Sequence, residues 1–345
     1  MTETDPWRIE LQRRAEAHLA AFLEANPEHS VDREQPECRG GTWFVTFGSF
    51  RGEPAVFKYY DGHPRKDYEK KALELFGPTG LVPKLYPGET DRMLVMERLP
   101  GLTMEEAEKE LNPSEQDDLY FHLGEAVAKV VEMKPGRELA HRRENTFRAA
   151  EENDFYNTPY SALDELYRQA DTATFFDTTL ARAAQVLRDR DVAHREVLNR
   201  SIASLQQNRD AILSYTDFVI MDDFHTNNIM AEGTRITGFI DLEMTRPGNE
   251  ILLLGAALCS MCDRPERWES FRRGYEHARG TPMDDAVLSL VRIAAPFTRW
   301  IRFTWYCSIN DIPAWALGMN LRDGAVEDVA EVVEAVDRMT RQGGD

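Results

Sequence analysis

Asp222-Asp223-Phe224-His225-Thr226-Asn227-Asn228 gathers two acids, a histidine and two amides, and Ile236-Thr237-Gly238-Phe239-Ile240-Asp241 ends on another acid soon after. Phe218, Val219 and Ile220 precede this group, and Ile229, Met230, Phe239 and Ile240 follow, so short buried strands should bracket a polar loop. Polar groups held between apolar segments must be paired or must act on something. An aspartate five residues ahead of an asparagine, with another aspartate on the next strand, is the spacing phosphoryl transfer uses for a base and Mg²⁺ ligands. The doubled acid allows two registers, Asp222 with Asn227 or Asp223 with Asn228. Spacing alone leaves both open.

Such a loop needs a phosphate-holding cation, and the elements that position one lie upstream. Glycines at Arg39-Gly40-Gly41 precede Thr42–Phe47, a β-branched and aromatic run. Turn residues from Gly48 to Pro54 then lead into Ala55–Tyr60, which makes a hairpin. Its second strand carries a lone Lys58, and a strand fixes that side chain to one face. Taken alone, it is explained as an edge-strand lysine that guards against aggregation.

A helix over Arg65–Phe76 follows, with Tyr68, Ala72, Leu73 and Phe76 on one side and a stop at Gly77-Pro78. Glu69 sits beside that stripe, either solvated or turned inward to Lys58. Lys84–Pro87 and Met93–Met96 read as two more strands around the turn Gly88–Arg92. Glu97-Arg98-Leu99-Pro100-Gly101 breaks the pattern as a linker.

Beyond the linker the chain turns helical. Thr103-Met104-Glu105-Glu106 is a capping box, and Asn112-Pro113-Ser114-Glu115 opens a helix running to about Met133. Residues 143–213 are almost wholly helical, with breaks near Asn157-Thr158-Pro159 and Thr172. After the polar loop, helices are expected at Glu250–Cys262, Trp268–Ala278, Ala286–Cys307 (with Pro296 inside it) and Ala325–Arg341. At the other end, residues 5–26 should form a helix with Asp5 as N-cap and Pro6 at its first position.

At 345 residues the chain suits two lobes rather than one small core. No apolar run approaches the roughly 20 residues that span a bilayer, and the N-terminus lacks a signal peptide's apolar region. Four cysteines, Cys38, Cys259, Cys262 and Cys307, show no disulfide framework, which fits a cytoplasmic chain. Cys259 and Cys262 form a CxxC, but they fall in an apolar helix with no second ligand pair nearby, so buried structural thiols are expected. A formal charge of −19 argues against nucleic acid or an anionic membrane as partner and is compatible with a cationic substrate.

With these parts in order, the sequence resembles the aminoglycoside phosphotransferase and choline kinase-like family, which shares the two-lobed protein-kinase fold. Asp223-Phe224-His225-Thr226-Asn227-Asn228 matches the family's Asp-x-His-x-x-Asn, and Ile240-Asp241-Leu242-Glu243 matches its metal segment. His225 selects the Asp223 register. The strand lysine falls on Lys58 in Ala55-Val56-Phe57-Lys58, the helix glutamate on Glu69, and the hinge on Met96–Gly101. Met221 and Asp222 replace the family's usual His and Gly. After the metal segment Asn249-Glu250 stands where the family has an aspartate, so either Glu250 replaces it or its function is absent.

The resemblance implies an α+β fold with a small antiparallel-sheet N-lobe carrying one helix and a larger, mostly helical C-lobe. Residues 1–96 would form the first lobe, 97–101 the hinge, and 102–345 the second, including the helical segment 143–213. It implies an ATP- or GTP-dependent phosphotransferase acting on a small-molecule hydroxyl. Asp223 would be the base, Asn228 and Asp241 the Mg²⁺ ligands, Lys58 the phosphate-holding cation and Glu69 its anchor. Backbone groups near Glu97 and Leu99 would hold the base of the nucleotide.

The acceptor would lie between the catalytic loop, the long helical segment and Arg299–Tyr306. There Trp300, Phe303, Trp305 and Tyr306 either stack on the acceptor or form helix core. Two other readings compete. A protein-directed kinase is disfavoured by the short stretch between Asp241 and Glu250, and a nucleotide-binding regulator without catalysis by the full set of charged residues.

Overall fold

The computed structural model describes residues 6–32, 43–63, 65–133, 172–189, 193–215, 218–221, 224–308 and 321–342. The Asp5 cap, the glycines at 40 and 41, Cys38, Asp222, Asp223 and the expected helix before residue 172 lie outside them.

After helix α1 (Pro6–Ala25), strands β1 (His29–Val31), β2 (Phe44–Phe50), β3 (Glu53–Tyr59) and β4 (Met93–Glu97) pair in chain order as one antiparallel sheet. Successive strand residues face opposite sides, and the two sides meet different partners. Ala55, Phe57, Tyr59, Met93 and Val95 pack with Leu11, Ala15, Leu19 and Phe22 of α1. Val56, Tyr60, Leu94 and Met96 belong to the other cluster, with Ala72, Leu73 and Phe76 of α2 (Arg65–Phe76). By parity Lys58 belongs to the second side, under α2. The sheet therefore aims it at the interior.

The chain leaves the sheet through Glu97–Gly101. Gly101 holds φ +97°, and a Cβ there would lie 2.0 Å from the Ala231 carbonyl oxygen. Only glycine fits this left-handed, close-packed turn. Beyond it come β5 (Leu102–Thr103), α3 (Met104–Glu110) and α4 (Pro113–Val131). Both expected capping boxes are present, Thr103 with Glu106 and Asn112 with Glu115. Helices α5 (Thr172–Asp189), α6 (Arg195–Gln207) and α7 (Arg209–Leu213) lead to the polar loop.

Around that loop, β6 (Phe218–Met221) pairs with β9 (Thr245–Gly248), while β7 (Ile229–Glu232) pairs with β8 (Arg235–Phe239). Helices α8 (Glu250–Met261), α9 (Pro265–Arg279), α10 (Asp285–Ala294), α11 (Phe297–Ser308) and α12 (Leu321–Gln342) complete the described chain. The whole is a mixed α+β fold with a small antiparallel sheet and a larger helical part. No described helix is long and apolar enough to cross a membrane.

Two expected elements differ. The helix expected over 286–307 is two, α10 and α11, separated at Ala295-Pro296. Proline has no N–H to donate into the preceding turn, and its carbonyl instead accepts the Trp300 N–H at 3.0 Å to start the next helix. Lys84–Pro87 is not a full strand. It contributes one bridge, Leu85 to Met96, with hydrogen bonds from Tyr86 N to Val95 O and from Glu97 N to Lys84 O. Pro83 and Pro87 bound it, and neither can donate to a ladder.

Helix α9 lies against α4 at very short range: a Cβ on Gly274 would fall 1.8 Å from the Phe121 carbonyl oxygen. Gly274→Ala is therefore expected to push the helices apart at a cost of about 1–3 kcal/mol. A lowered urea midpoint would read this, and an unchanged midpoint would contradict it.

The CxxC residues fall in and just after the apolar α8. Both are free, Cys259 buried and Cys262 half-buried, and the Cys262 thiol donates to the Cys259 carbonyl at 3.3 Å. Burial pushes the Cys262 thiol up to about 12, with the neighbouring Cys259 and Asp263 adding to it. Since the thiolate is the reactive species, iodoacetamide at pH 8 should label this position only after denaturation. Fast labelling of the native chain, located by peptide mapping, would refute that.

Candidate active site

The polar loop and the segment Ile240–Glu243 end side by side because of how their flanking strands pair. Met221 pairs with Thr245, and Ile229 with Phe239, so one connection joins β6 to β7 and the other joins β8 to β9. The Ile240 N–H donates to the Asn228 carbonyl at 2.9 Å, and the Asn228 N–H to the His225 carbonyl at 2.9 Å. Asn228 thus stands one hydrogen bond from the residue before Asp241. Its neighbour Asn227 is exposed and uses its side chain on Glu105 of α3, where that bond and Lys109 lower the Glu105 carboxyl. Asp241 itself takes a left-handed backbone, φ 58°, which turns the chain from β8 into a 3₁₀ turn at Leu242–Met244.

Lys58 meets this turn. Its ammonium lies 2.6 Å from Glu69, 2.5 Å from Asp241 and 3.4 Å from Glu243. The ring of Tyr60 stands 5.2 Å from the same nitrogen, and its hydroxyl donates to Glu69. Glu69 also accepts the Leu242 N–H at 3.3 Å, so it clamps the lysine and the turn after Asp241 together. The sequence-expected Lys58, Glu69 and Asp241 therefore converge. Glu97 lies at the end of β4, and Leu99 is buried in the following turn. The N–H groups of Glu97 and Arg98 are committed to Lys84 and Pro54.

Arg65 and Trp43, to which the sequence reading gave no role at the site, complete the cluster around Glu243. Arg65 Nη1 binds Glu243 at 2.8 Å, and the Trp43 indole N–H donates to the same carboxylate. The Trp43 ring lies 5.2 Å from that of Tyr60 and 5.0 Å from that of His63. Arg65 stands one turn before Glu69 on α2, the i,i+4 spacing that puts two side chains on one helix face. That spacing is readable in the sequence. The partnership of Trp43 with Glu243, 200 positions apart, leaves no local trace.

Charge sharing drives these groups apart. Burial would push the Lys58 ammonium down, but Asp241 and Glu69 more than offset it and raise it well above its usual range. Burial pushes the Asp241 carboxyl up to about 6, against the pull of Lys58 and with Glu243 and Glu69 adding repulsion. Its side chain nonetheless keeps 40 % of its surface accessible, so of the three carboxylates it is the one solvent reaches. Glu243 goes the other way: burial would raise it, and Lys58 and Arg65 hold it below the usual carboxylate range.

Ligand atoms of Glu69, Asp241 and Glu243 lie within 4.8 Å of one another. Two cations, Lys58 and Arg65, face these three carboxylates, so one negative charge is left over. Of the three, only Asp241 is accessible, and a carboxylate oxygen carrying that excess charge fits a hard divalent cation such as Mg²⁺.

Elsewhere, Glu250 sits at the start of α8, turned toward α9. Its carboxylate accepts the Tyr275 hydroxyl and lies 3.9 Å from Arg279. The buried Asn249 holds that junction, accepting the Leu252 N–H at 2.8 Å and donating to the Ile212 carbonyl at 3.1 Å. Trp300 is helix core, fully buried with its indole N–H on Ser201 at 3.0 Å. The side chains of Phe303, Trp305 and Tyr306 lie outside the described residues.

Residues 39–290 match the family model described as "Phosphotransferase enzyme family". No curated protein matches the chain. Among solved structures, the ADP-bound aminoglycoside phosphotransferase APH(2'')-Ib is similar at 15 % identity and a TM-score of 0.55, over 93 % of this chain and 98 % of that one. Ethanolamine kinase of Plasmodium vivax aligns at 14 % identity and a TM-score of 0.53, over 89 % of this chain and 82 % of that one. A streptomycin–ATP complex of APH(2'')-IIa aligns at 16 % identity and a TM-score of 0.52, over 96 % and 99 %. At these identities the likeness is one of fold, and function has to be argued from the site.

Proposed function

We propose that this chain, which belongs to the phosphotransferase enzyme family, transfers the γ-phosphoryl group of ATP or GTP to a hydroxyl of a small molecule. The observation that carries the reading is the meeting of Lys58, Glu69 and Asp241 between sheet and hairpin, at 2.6 and 2.5 Å. A buried lysine clamped by a helix glutamate, beside a solvent-accessible carboxylate, is what holding a nucleotide's phosphates and a cation requires.

In this reading the lobes are 1–96 and 102–345, joined by the hinge 97–101. The base of the nucleotide pairs with the Glu97 carbonyl and the Leu99 N–H, because the N–H groups of Glu97 and Arg98 are already used within the N-lobe. Lys58 turns from Asp241 to the phosphates and stays oriented by Glu69. Asp241 and Asn228 would hold Mg²⁺, which supplies charge neutralisation on the transferred group. The engagement of Asn227 with Glu105 favours Asn228, and with it the Asp223 register.

Asp223 orients the acceptor hydroxyl and takes its proton as the acceptor oxygen bonds to the γ-phosphorus. The bond from that phosphorus to the bridging oxygen breaks, and the nucleoside diphosphate leaves with the electron pair. Most of the contribution of Asp223 is orientation, since little proton transfer is needed early in a loose transition state. The acceptor class is that of the structural neighbours and of related metabolites: aminoglycosides, amino alcohols such as ethanolamine, and sugars. The net charge of −19 suits a cationic member of it. Free thiols and a nucleotide substrate fit a cytoplasmic enzyme.

The test is to incubate the purified chain with ATP or GTP and Mg²⁺ against those three acceptor classes, following nucleoside diphosphate release and the product's phosphorus NMR. A phosphomonoester on one class is the expected result. Nucleotide left intact with every acceptor, in a protein that also fails to bind it, would overturn the reading.

A further inference from the structure

Lys58 has three carboxylates within 4.0 Å and one ammonium to divide among them. A lysine that must release a carboxylate to grip phosphate is hindered most by a partner that is buried and cannot be satisfied otherwise. Asp241 is accessible to solvent and can exchange Lys58 for a cation. Glu69 orients the lysine and remains with it. Glu243 is the difficult one: its side chain is 5 % accessible, and it lies 3.4 Å from the lysine nitrogen. What holds it back is visible. Arg65 binds one of its oxygens at 2.8 Å, and the Trp43 indole occupies the other.

Arg65 opens the same helix whose next turn carries Glu69. One face of α2 therefore gives Lys58 its partner and removes its competitor. With Arg65 neutralising Glu243, the uncompensated negative charge falls on Asp241, where a divalent cation and phosphates can use it.

We propose that Arg65, assisted by Trp43, is a positioning residue that sequesters Glu243, so that Lys58 is free to exchange Asp241 for the nucleotide's phosphates. This rests on the phosphotransferase reading above and adds a distinct requirement to it. Glu243 is then a structural counter-charge whose unneutralised form inhibits nucleotide binding. Removing Arg65 should harm the site only while Glu243 remains acidic.

The experiment measures Mg·ATP binding by calorimetry on the full chain, with melting temperature alongside, for Arg65→Met, Glu243→Gln and the double variant. Arg65→Met is expected to weaken Mg·ATP about ten-fold, as a buried counter-charge set loose does, with the loss in KM more than in kcat. The double variant is expected to return within about two-fold of the parent, a coupling that independent sites do not show. Trp43→Phe, which keeps Arg65 and the ring, should weaken binding about two-fold, and it carries the test if Arg65→Met does not fold.

Unchanged binding in the Arg65→Met chain, or an equal loss in single and double variants, would overturn the sequestering role while leaving the phosphotransferase reading intact. If Arg65→Met does not fold, unchanged binding in Trp43→Phe overturns it in the same way. Absence of Mg·ATP and Mg·GTP binding in the parent chain would overturn the underlying reading itself.

Discussion

Asp223→Asn is expected to lower turnover by about 10²–10⁴-fold while Mg·ATP affinity stays within a few-fold of the parent. The amide keeps the size of the carboxylate and one acceptor oxygen, so packing and most substrate contacts survive. It loses the negative charge and the ability to take a proton from the attacking hydroxyl. Those losses act on kcat rather than on nucleotide affinity, because the interaction is made with the acceptor in the transition state. The neighbouring Asp222→Asn separates the two registers of the loop. It should leave turnover within a few-fold, and abolition of turnover by Asp222→Asn alone would move the base by one residue. Single-turnover kinetics with saturating Mg·ATP make the comparison without interference from product release.

Lys58→Met is expected to damage both chemistry and fold. Turnover should fall by about 10²–10³-fold, the usual loss when one preorganised positive group at the transferring phosphoryl is removed. The stability effect has a different origin. With Lys58 gone, Glu69, Asp241 and Glu243 share only Arg65 as a cation, and Glu69 and Glu243 are buried. Leaving a buried carboxylate without its partner costs about 3 kcal/mol. Mg²⁺ should recover part of that loss, because the cation replaces the missing positive charge beside Asp241. A melting curve of Lys58→Met with and without Mg²⁺ reads both effects. A variant with parental melting and turnover would show that the lysine is neither a phosphate ligand nor a required counter-charge.

What was legible in the sequence was whatever local periodicity constrains. Strand parity set Lys58 on the face away from Ala55, Phe57 and Tyr59, and the helical stripe of Arg65–Phe76 put Glu69 at its edge; their pairing was implied only by the family resemblance. The hairpin around Asn228 and Asp241 was readable because its apolar strands are short and end at polar residues. The two capping boxes at Thr103 and Asn112 fixed helix starts that the structure reproduces.

What was not legible depends on distant pairing. β1 is three residues long and exists only through its pairing with β2, which no three-residue pattern announces. The packing of α1 across the sheet needs Leu11, Ala15, Leu19 and Phe22 to meet residues of β3 and β4. Glu243, named in the sequence only as part of the metal segment, is buried and bound by Arg65 and Trp43. Proline 296 did carry a signal, and the break it makes between α10 and α11 is the ordinary consequence of its missing N–H.

The central claim is that Asp241, exchanged for phosphate at Lys58, holds the cation that accompanies a nucleotide. The most direct measurement is a calorimetric titration of ATP into the parent chain and into Asp241→Asn, each with and without Mg²⁺. The account predicts that Mg²⁺ strengthens ATP binding about ten-fold or more in the parent and has little effect in Asp241→Asn. An Mg²⁺ dependence of the same size in both proteins would contradict it.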